Sequence, residues 1–213
     1  MTADVHTVQV LLKARQFDPG PADGACGPRT VGAIRGFQAT FLAHADGLIE
    51  PGRATWQRLE GSAPMLPAEW GGDSAQWPQE KKLRSMNPML ATKVRALLTA
   101  LTQRQFQPKV FYGWRSVEVQ ARLFAMGRSK VKFSFHNAQQ PNGTPNAYAA
   151  DIIDGRYAWT PQAESSGFWK ALGEEAHIRG LVWGGDWASF RDWAHVQLVQ
   201  NAELSRIKRE SGL

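Results

Sequence analysis

Tyr148-Ala149-Ala150-Asp151-Ile152-Ile153 is a short apolar run that carries one carboxylate. Its tyrosine and β-branched isoleucines read as a strand. Working outward, Lys109 to Tyr112 and His195 to Val199 read as two more strands, with Val117 to Met126 and Phe168 to Arg179 as helices between them. Upstream, Leu90, Val94, Leu97, Leu98 and Leu101 stripe one face of a long helix that starts near Asn87 or Pro88. The stripe marks core packing rather than a cofactor site. Helices and short strands mixed in this way, with no repeating βαβ pattern, give an α+β class with a small antiparallel sheet.

The N-terminal third has a different pattern. Val8, Leu11 and Leu12 recur at helical spacing until the glycine- and proline-containing stretch from Gly20 to Gly27 interrupts them. Pro28 suits the first turn of a second helix, whose Val31, Ile34, Phe37 and Phe41 share a face. Asp46-Gly47 and Pro51-Gly52 mark another loop, and Thr55 to Leu59 a third helix. This predicts a three-helix domain over 1–62. Residues 63–80 then turn rich in Pro, Gly, Ser and Ala and read as a linker, with Trp70 and Trp77 available to pack on one domain. The second domain is expected over 81–200 and a polar tail over 201–213. Nothing in the sequence repeats, and no segment is of low complexity.

The chain has 213 residues, 43% hydrophobic and 21% charged, near the usual balance of globular proteins. A net charge of +6 and a pI near 9.7 favour anionic partners, among them nucleic acid, membrane surfaces and the bacterial wall. Lys and Arg are scattered rather than clustered with aromatics, which argues against nucleic acid. Cys26 is the single cysteine, so no internal disulfide forms. No apolar run approaches the roughly 20 residues of a membrane span, so no stable membrane insertion is expected. The first residues lack a basic segment followed by an apolar run, so synthesis in the cytoplasm without a signal peptide is expected. No oligomerisation signature is legible, and a monomer is expected.

Two families are recognisable. Val8-Gln9, Leu11-Leu12, Asp23-Gly24, Gly27-Pro28, Thr30, Ala33-Ile34, Phe37-Gln38, Asp46-Gly47 and Thr55-Trp56 with Leu59 resemble the three-helix type of peptidoglycan-binding domain. The Asp-Gly pairs also have a purely structural reading as turns. Further on, Gly113-Trp114-Arg115-Ser116 with Gln120, then Ser134-Phe135-His136 followed by Ala149-Ala150-Asp151, then Gly180 to Trp187 with Phe190, Asp192 and His195, resemble three blocks in order. They are similar to the zinc D-Ala-D-Ala carboxypeptidases and L-alanyl-D-glutamate endopeptidases, which cut peptidoglycan stem peptides.

That resemblance implies that His136, Asp151 and His195 hold Zn2+ and leave a fourth position for water. It makes Asp192 the general base, an effect worth roughly 100- to 10,000-fold. Arg115 is assigned to the developing oxyanion or a substrate carboxylate. Ser116 and Gln120 either orient that arginine or contact the peptide, and Ser134 supports His136. Asp186 is read as structural, and Asp154 as facing away from Asp151, since positions three apart on a strand lie on opposite faces. His6, His44 and His177 have no motif around them and are read as ordinary histidines. The sequence departs from the pattern in one place. The step from His136 to Asp151 is longer than the family has, Ala147 stands where glycine is expected, and 137–146 reads as an inserted loop that could cap the cleft or displace His136.

The reading is therefore a zinc peptidase acting on bacterial peptidoglycan, with endopeptidase action in a phage or prophage endolysin favoured. A carboxypeptidase, an exported wall-degrading effector and a non-catalytic wall-binding adaptor are the alternatives.

Overall fold

The structure is a computed structural model that describes residues 2–50, 53–60, 68–140 and 143–213. Three of the sequence assignments touch residues outside these: the Pro51-Gly52 turn, the boundary at 62 and 63, and Pro141 and Asn142 of the inserted loop.

Three helices form the N-terminal unit: α1 (Thr2–Ala14), α2 (Pro28–Ala39) and α3 (Ala54–Glu60). Pro28 opens α2, where its missing N–H costs nothing. Leu12, Ile34, Phe37 and Leu59 meet at the centre, and Phe17 packs edge-on to Phe37 at 5.5 Å. The two Asp-Gly loops are held by one device used twice. Gln9 Nε2 donates to Asp23 Oδ1, Ala25 O and Thr30 Oγ1, while its Oε1 accepts from Gly24 N. Gln38 Nε2 donates to Asp46 Oδ1, Leu48 O and Thr55 Oγ1, while its Oε1 accepts from Gly47 N. Gly24 and Gly47 take φ of +77° and +79°, the left-handed conformation that favours glycine. The sequence shows no repeat, yet the structure repeats this clamp, with the Asp-Gly pairs as its fixed turns.

The C-terminal part contains α4 (Gln79–Arg84), α5 (Pro88–Gln103), β1 (Pro108–Tyr112), α6 (Val117–Ala125), β2 (Ala149–Asp154), α7 (Pro161–Ser165), α8 (Phe168–Ile178), β3 (Val182–Trp183), β4 (His195–Gln197) and α9 (Leu204–Glu210). Asn87 caps α5 by accepting from Met89 N, and Pro88 opens the helix. The strands form one antiparallel sheet in the order β1-β2-β4-β3. Strand β2 is central and buried along its length. Ala150 and Ile152 join a core with Leu90, Val94, Leu97 and Leu101 of α5 and Phe168, Leu172 and Ala176 of α8. Asp151 alternates with these two along the strand.

Two stretches, α4 and the last residues, differ from the sequence reading, while the tryptophans of the expected linker do pack on one domain, as that reading allowed. The described part of the expected linker is packed: Trp77 stacks on Trp114 at 6.0 Å and tilts against Trp70 at 5.6 Å, and Ser74 donates to the Trp114 carbonyl. Helix α4 follows directly, with Lys82 Nζ donating to Ala75 O and Val110 O. The residues expected as a polar tail form α9, because Leu204 and Ile207, one turn apart, pack with Phe135 and Ala149. Ile207 is only 2% exposed.

Val117 and Ala121 of α6 join the N-terminal core, and Lys132 Nζ donates to Leu42 O across the two units. Among the described residues no helix is long and apolar enough to cross a membrane.

Candidate metal centre and active site

The sheet register assembles the centre. Asp151 on β2 is the cross-strand partner of His195 on β4 and also pairs with Tyr112 on β1, beside an irregularity in that ladder. His136 arrives from a single 3₁₀ turn, Phe135–Asn137. Asn137 secures this turn: its Nδ2 donates to Arg115 O and Ser116 O, and its Oδ1 accepts from Ser134 N. The Ser134 hydroxyl donates to the same Oδ1, so it steadies the turn that carries His136.

His136 Nε2, His195 Nδ1 and Asp151 Oδ1 form a triangle with sides of 3.1, 3.2 and 3.2 Å. All three residues are buried. Their protons can be assigned from the outer partners. His136 Nδ1 lies 2.7 Å from Gly113 O, and a carbonyl only accepts, so Nδ1 carries the proton and Nε2 presents a lone pair. His195 Nε2 lies 3.0 Å from Gln197 Oε1, while Gln197 Nε2 is engaged by Val199 O and Asn201 Oδ1. With Gln197 so oriented, His195 Nε2 holds the proton and Nδ1 presents its lone pair. Two lone pairs and a carboxylate oxygen therefore converge with no proton between them. Mutual repulsion in a buried site is costly, and a cation at the centre resolves it. Donors about 2.0–2.2 Å from a tetrahedral ion lie about 3.3–3.6 Å apart, close to this triangle. The set could hold a metal ion, with both imidazoles oriented by outer hydrogen bonds.

Charge around the cluster follows from burial and proximity. Burial pulls the His136 imidazole below its ordinary value, against the attraction of Asp151. Burial works the same way on His195, but without a cation in the cluster a second proton on Nδ1 would bond to Asp151, and this with the Asp151 and Asp192 carboxylates outweighs burial and leaves that ring raised. Asp151 is resisted by burial yet held well below the usual carboxylate range by the two histidines and Arg115. Asp192 is pushed up, first by burial and then by the negative charge of Asp151.

Asp192 is fixed by its backbone. Its N–H donates to Gly184 O, and its carbonyl accepts from His195 N. A Cβ on Gly184 would lie 2.4 Å from Asp192 O, so only glycine lets these segments approach. Trp183 braces the same loop by donating from Nε1 to Trp193 O, and it lies flat against Gly173 and Gly185, where a Cβ would come within 2.6 Å of the ring. Asp186 pairs with His177 at 2.6 Å on the surface.

Arg115 donates from Nη2 to Asp151 Oδ2 and from Nη1 to Gln120 Oε1, both at 2.9 Å, and lies over the Tyr112 ring at 4.4 Å. Its Nε is buried without a partner among the described residues. Gln120, fully buried, also donates to Ser129 Oγ and Val131 O. Ser116 accepts from Val119 N and so caps α6. Asp154 is turned to Arg156 and Gln107 N, away from the cluster. The inserted loop leaves His136 in the cluster. It closes on itself through Gln140 N to Thr144 O and Asn146 N to Ala138 O, and rests on the C-terminal helix through Gln139 N to Ser211 Oγ.

Sequence reasoning did not single out Gln197 and gave Gly113 a place in a motif but no role, though these are the two outer partners that fix the imidazole protons. Gln197 had a signal, since it lies two residues from His195 on a strand and so shares its face. Gly113 acts through its backbone carbonyl, which no side-chain pattern reveals.

Comparison with known proteins gives three findings. Residues 2–59 match the family described as "Putative peptidoglycan binding domain". The chain is 26% identical over 145 residues to the peptidoglycan L-alanyl-D-glutamate endopeptidase CwlK of Bacillus subtilis, covering 59% of this chain and 84% of that protein. It also resembles the crystal structure of the Serratia marcescens L-Ala D-Glu endopeptidase ChiX, with 26% identity, a TM-score of 0.42, and coverage of 57% of this chain and 86% of that one. The chain thus joins an N-terminal peptidoglycan-binding domain to a C-terminal domain homologous to a peptidase.

Proposed function

We propose that the chain hydrolyses the L-alanyl-D-glutamate bond in peptidoglycan stem peptides, using zinc held by His136, Asp151 and His195, while the N-terminal domain grips the wall. The domain division at 62 and 80 belongs to this reading, as does a setting as a phage or prophage endolysin. The observation that carries it is the convergence of three buried, proton-free acceptors at 3.1–3.2 Å in a domain similar to an endopeptidase.

When bound there, zinc supplies a Lewis acid for the scissile carbonyl and lowers the pKa of a coordinated water towards about 7. The protein supplies the rest. Asp192 takes the proton of the attacking water as its oxygen bonds to the carbonyl carbon, then gives that proton to the amine nitrogen as the C–N bond breaks. Burial of Asp192, which favours its protonated form, suits both transfers. Arg115 holds Asp151 through one nitrogen, and its remaining donors serve the oxyanion or a substrate carboxylate. Gln120 keeps that guanidinium in plane, and Ser116 fixes the start of the helix that carries Gln120.

Digestion of purified peptidoglycan tests this, with fragments identified by mass spectrometry. New L-alanine and D-glutamate termini that vanish on chelation and return with zinc are expected. Release of free D-alanine instead would move the assignment to a carboxypeptidase, and wall binding without any release would leave an adaptor.

A further inference from the structure

A cleft of about 500 Å³ opens between the two units, lined by Phe41 and Arg58 on one side and by Lys132, Phe133, Gln139 and Lys208 on the other. That volume is in the range of ligand sites. No aspartate or glutamate side chain lines it. Among the described residues, Arg58, Lys132 and Lys208 take part in no ion pair. All three cations rest on aromatic faces instead: Arg58 lies 4.7 Å from the Phe41 ring centre, Lys132 5.6 Å from that of Phe124, and Lys208 5.8 Å from that of Phe133. A cation on a ring face keeps its outward N–H groups for an anion. Lys132 ties the two walls together through Leu42 O at 2.9 Å. The charged side chains of the lining are all basic and focus their field on a ligand of the opposite sign, set against the main-chain carboxylate of Leu213, which also lines the cleft. The aromatic walls add a preference for an anion with apolar parts.

We propose that this interdomain cleft is a second binding site, taking the carboxylate-bearing stem peptides of uncut wall. The inference rests on the wall as substrate. Asn137, which directly follows His136, also lines the cleft, so a stem held here is anchored beside the turn that carries a metal ligand. The site is made jointly by the two units, and neither supplies its cations alone.

The test uses the full chain carrying Asp192→Asn, so that nothing is cut during binding. Its co-sedimentation with peptidoglycan sacculi free of phosphate polymers is compared with and without Arg58→Glu and Lys208→Glu together. The double change is expected to weaken binding about tenfold. Amidating the sacculus carboxyls should weaken the parent by a similar factor and the double variant no further. Arg58→Lys should keep parental binding, and an unchanged unfolding midpoint certifies the fold. Equal binding by parent and double variant overturns the proposal. So does insensitivity of the parent to amidation, and so does competition by a phosphate polymer but not by a soluble stem peptide. Fragment release by the active chain is scored separately, so loss of the peptidase reading leaves the binding result standing.

Discussion

Gln38 in the N-terminal unit and Asp151 in the C-terminal one are 1% and 6% exposed, and each is the hub of a polar cluster. Around Gln38 the amide donates to oxygens and its carbonyl oxygen accepts an N–H, so the hydrogen-bond roles are complementary. The same holds for Gln9. Around Asp151, two imidazole lone pairs and a carboxylate oxygen face one another, and the protons that could relieve them are spent on Gly113 and Gln197. A complementary cluster fixes a loop. A cluster of acceptors alone asks for a cation, and that contrast separates structure from chemistry in this chain.

The contrast can be broken most sharply at Asp192, the carboxylate proposed as general base. Asp192→Asn should lower kcat on a soluble stem peptide roughly 100- to 10,000-fold, with sacculus binding unchanged. A residual rate within tenfold of the parent would remove Asp192 from the mechanism. Next comes the ion's share of stability. At about 1,000 times its Kd a bound metal adds about 4 kcal/mol, so chelation should lower the unfolding midpoint by roughly 8–16 °C in a chain of this size. An unmoved midpoint would place the acceptors in balance without a cation.

Smaller effects belong to the complementary clusters. Gln38→Ala leaves Gly47 N without its side-chain acceptor and the Asp46 carboxylate with Leu48 N but without the Gln38 amide, at a cost of about 1–3 kcal/mol by urea unfolding. The kcat on a soluble peptide should not follow it. The smallest change expected is at Asp154, whose carboxyl is held down to about 2 chiefly by hydrogen bonds from Arg156. Its folded pKa lies below its unfolded value, so the stabilisation is present above about pH 4 and is lost as the pH falls towards 2. The stability difference between the parent and Asp154→Asn should shrink over that window, and a difference independent of pH would contradict it.

Much of this was legible before the structure. The leucine stripe of α5 and the run around Asp151 led directly to a core helix and a central strand, because burial imposes periodicity. His136, Asp151 and His195 are far apart in sequence and were found through resemblance; the antiparallel register then places Asp151 opposite His195. What escaped did so for physical reasons. Gln9 and Gln38 belong to a residue type usually exposed, and their role depends on loops that return many residues later. The final helix looks polar because Leu204 and Ile207 are few among charges, yet they are enough to bury one face. The linker tryptophans signal packing on one domain, but no sequence pattern names Trp114 as the ring on which Trp77 stacks.

The most direct test of the central claim is the metal content of the purified chain by mass spectrometry, beside that of Asp151→Ala. One zinc ion per parent chain, and none in a folded variant, is the predicted result. A parent that cuts peptidoglycan without metal, or a variant that keeps a full equivalent, would contradict the assignment of His136, Asp151 and His195 as the metal centre.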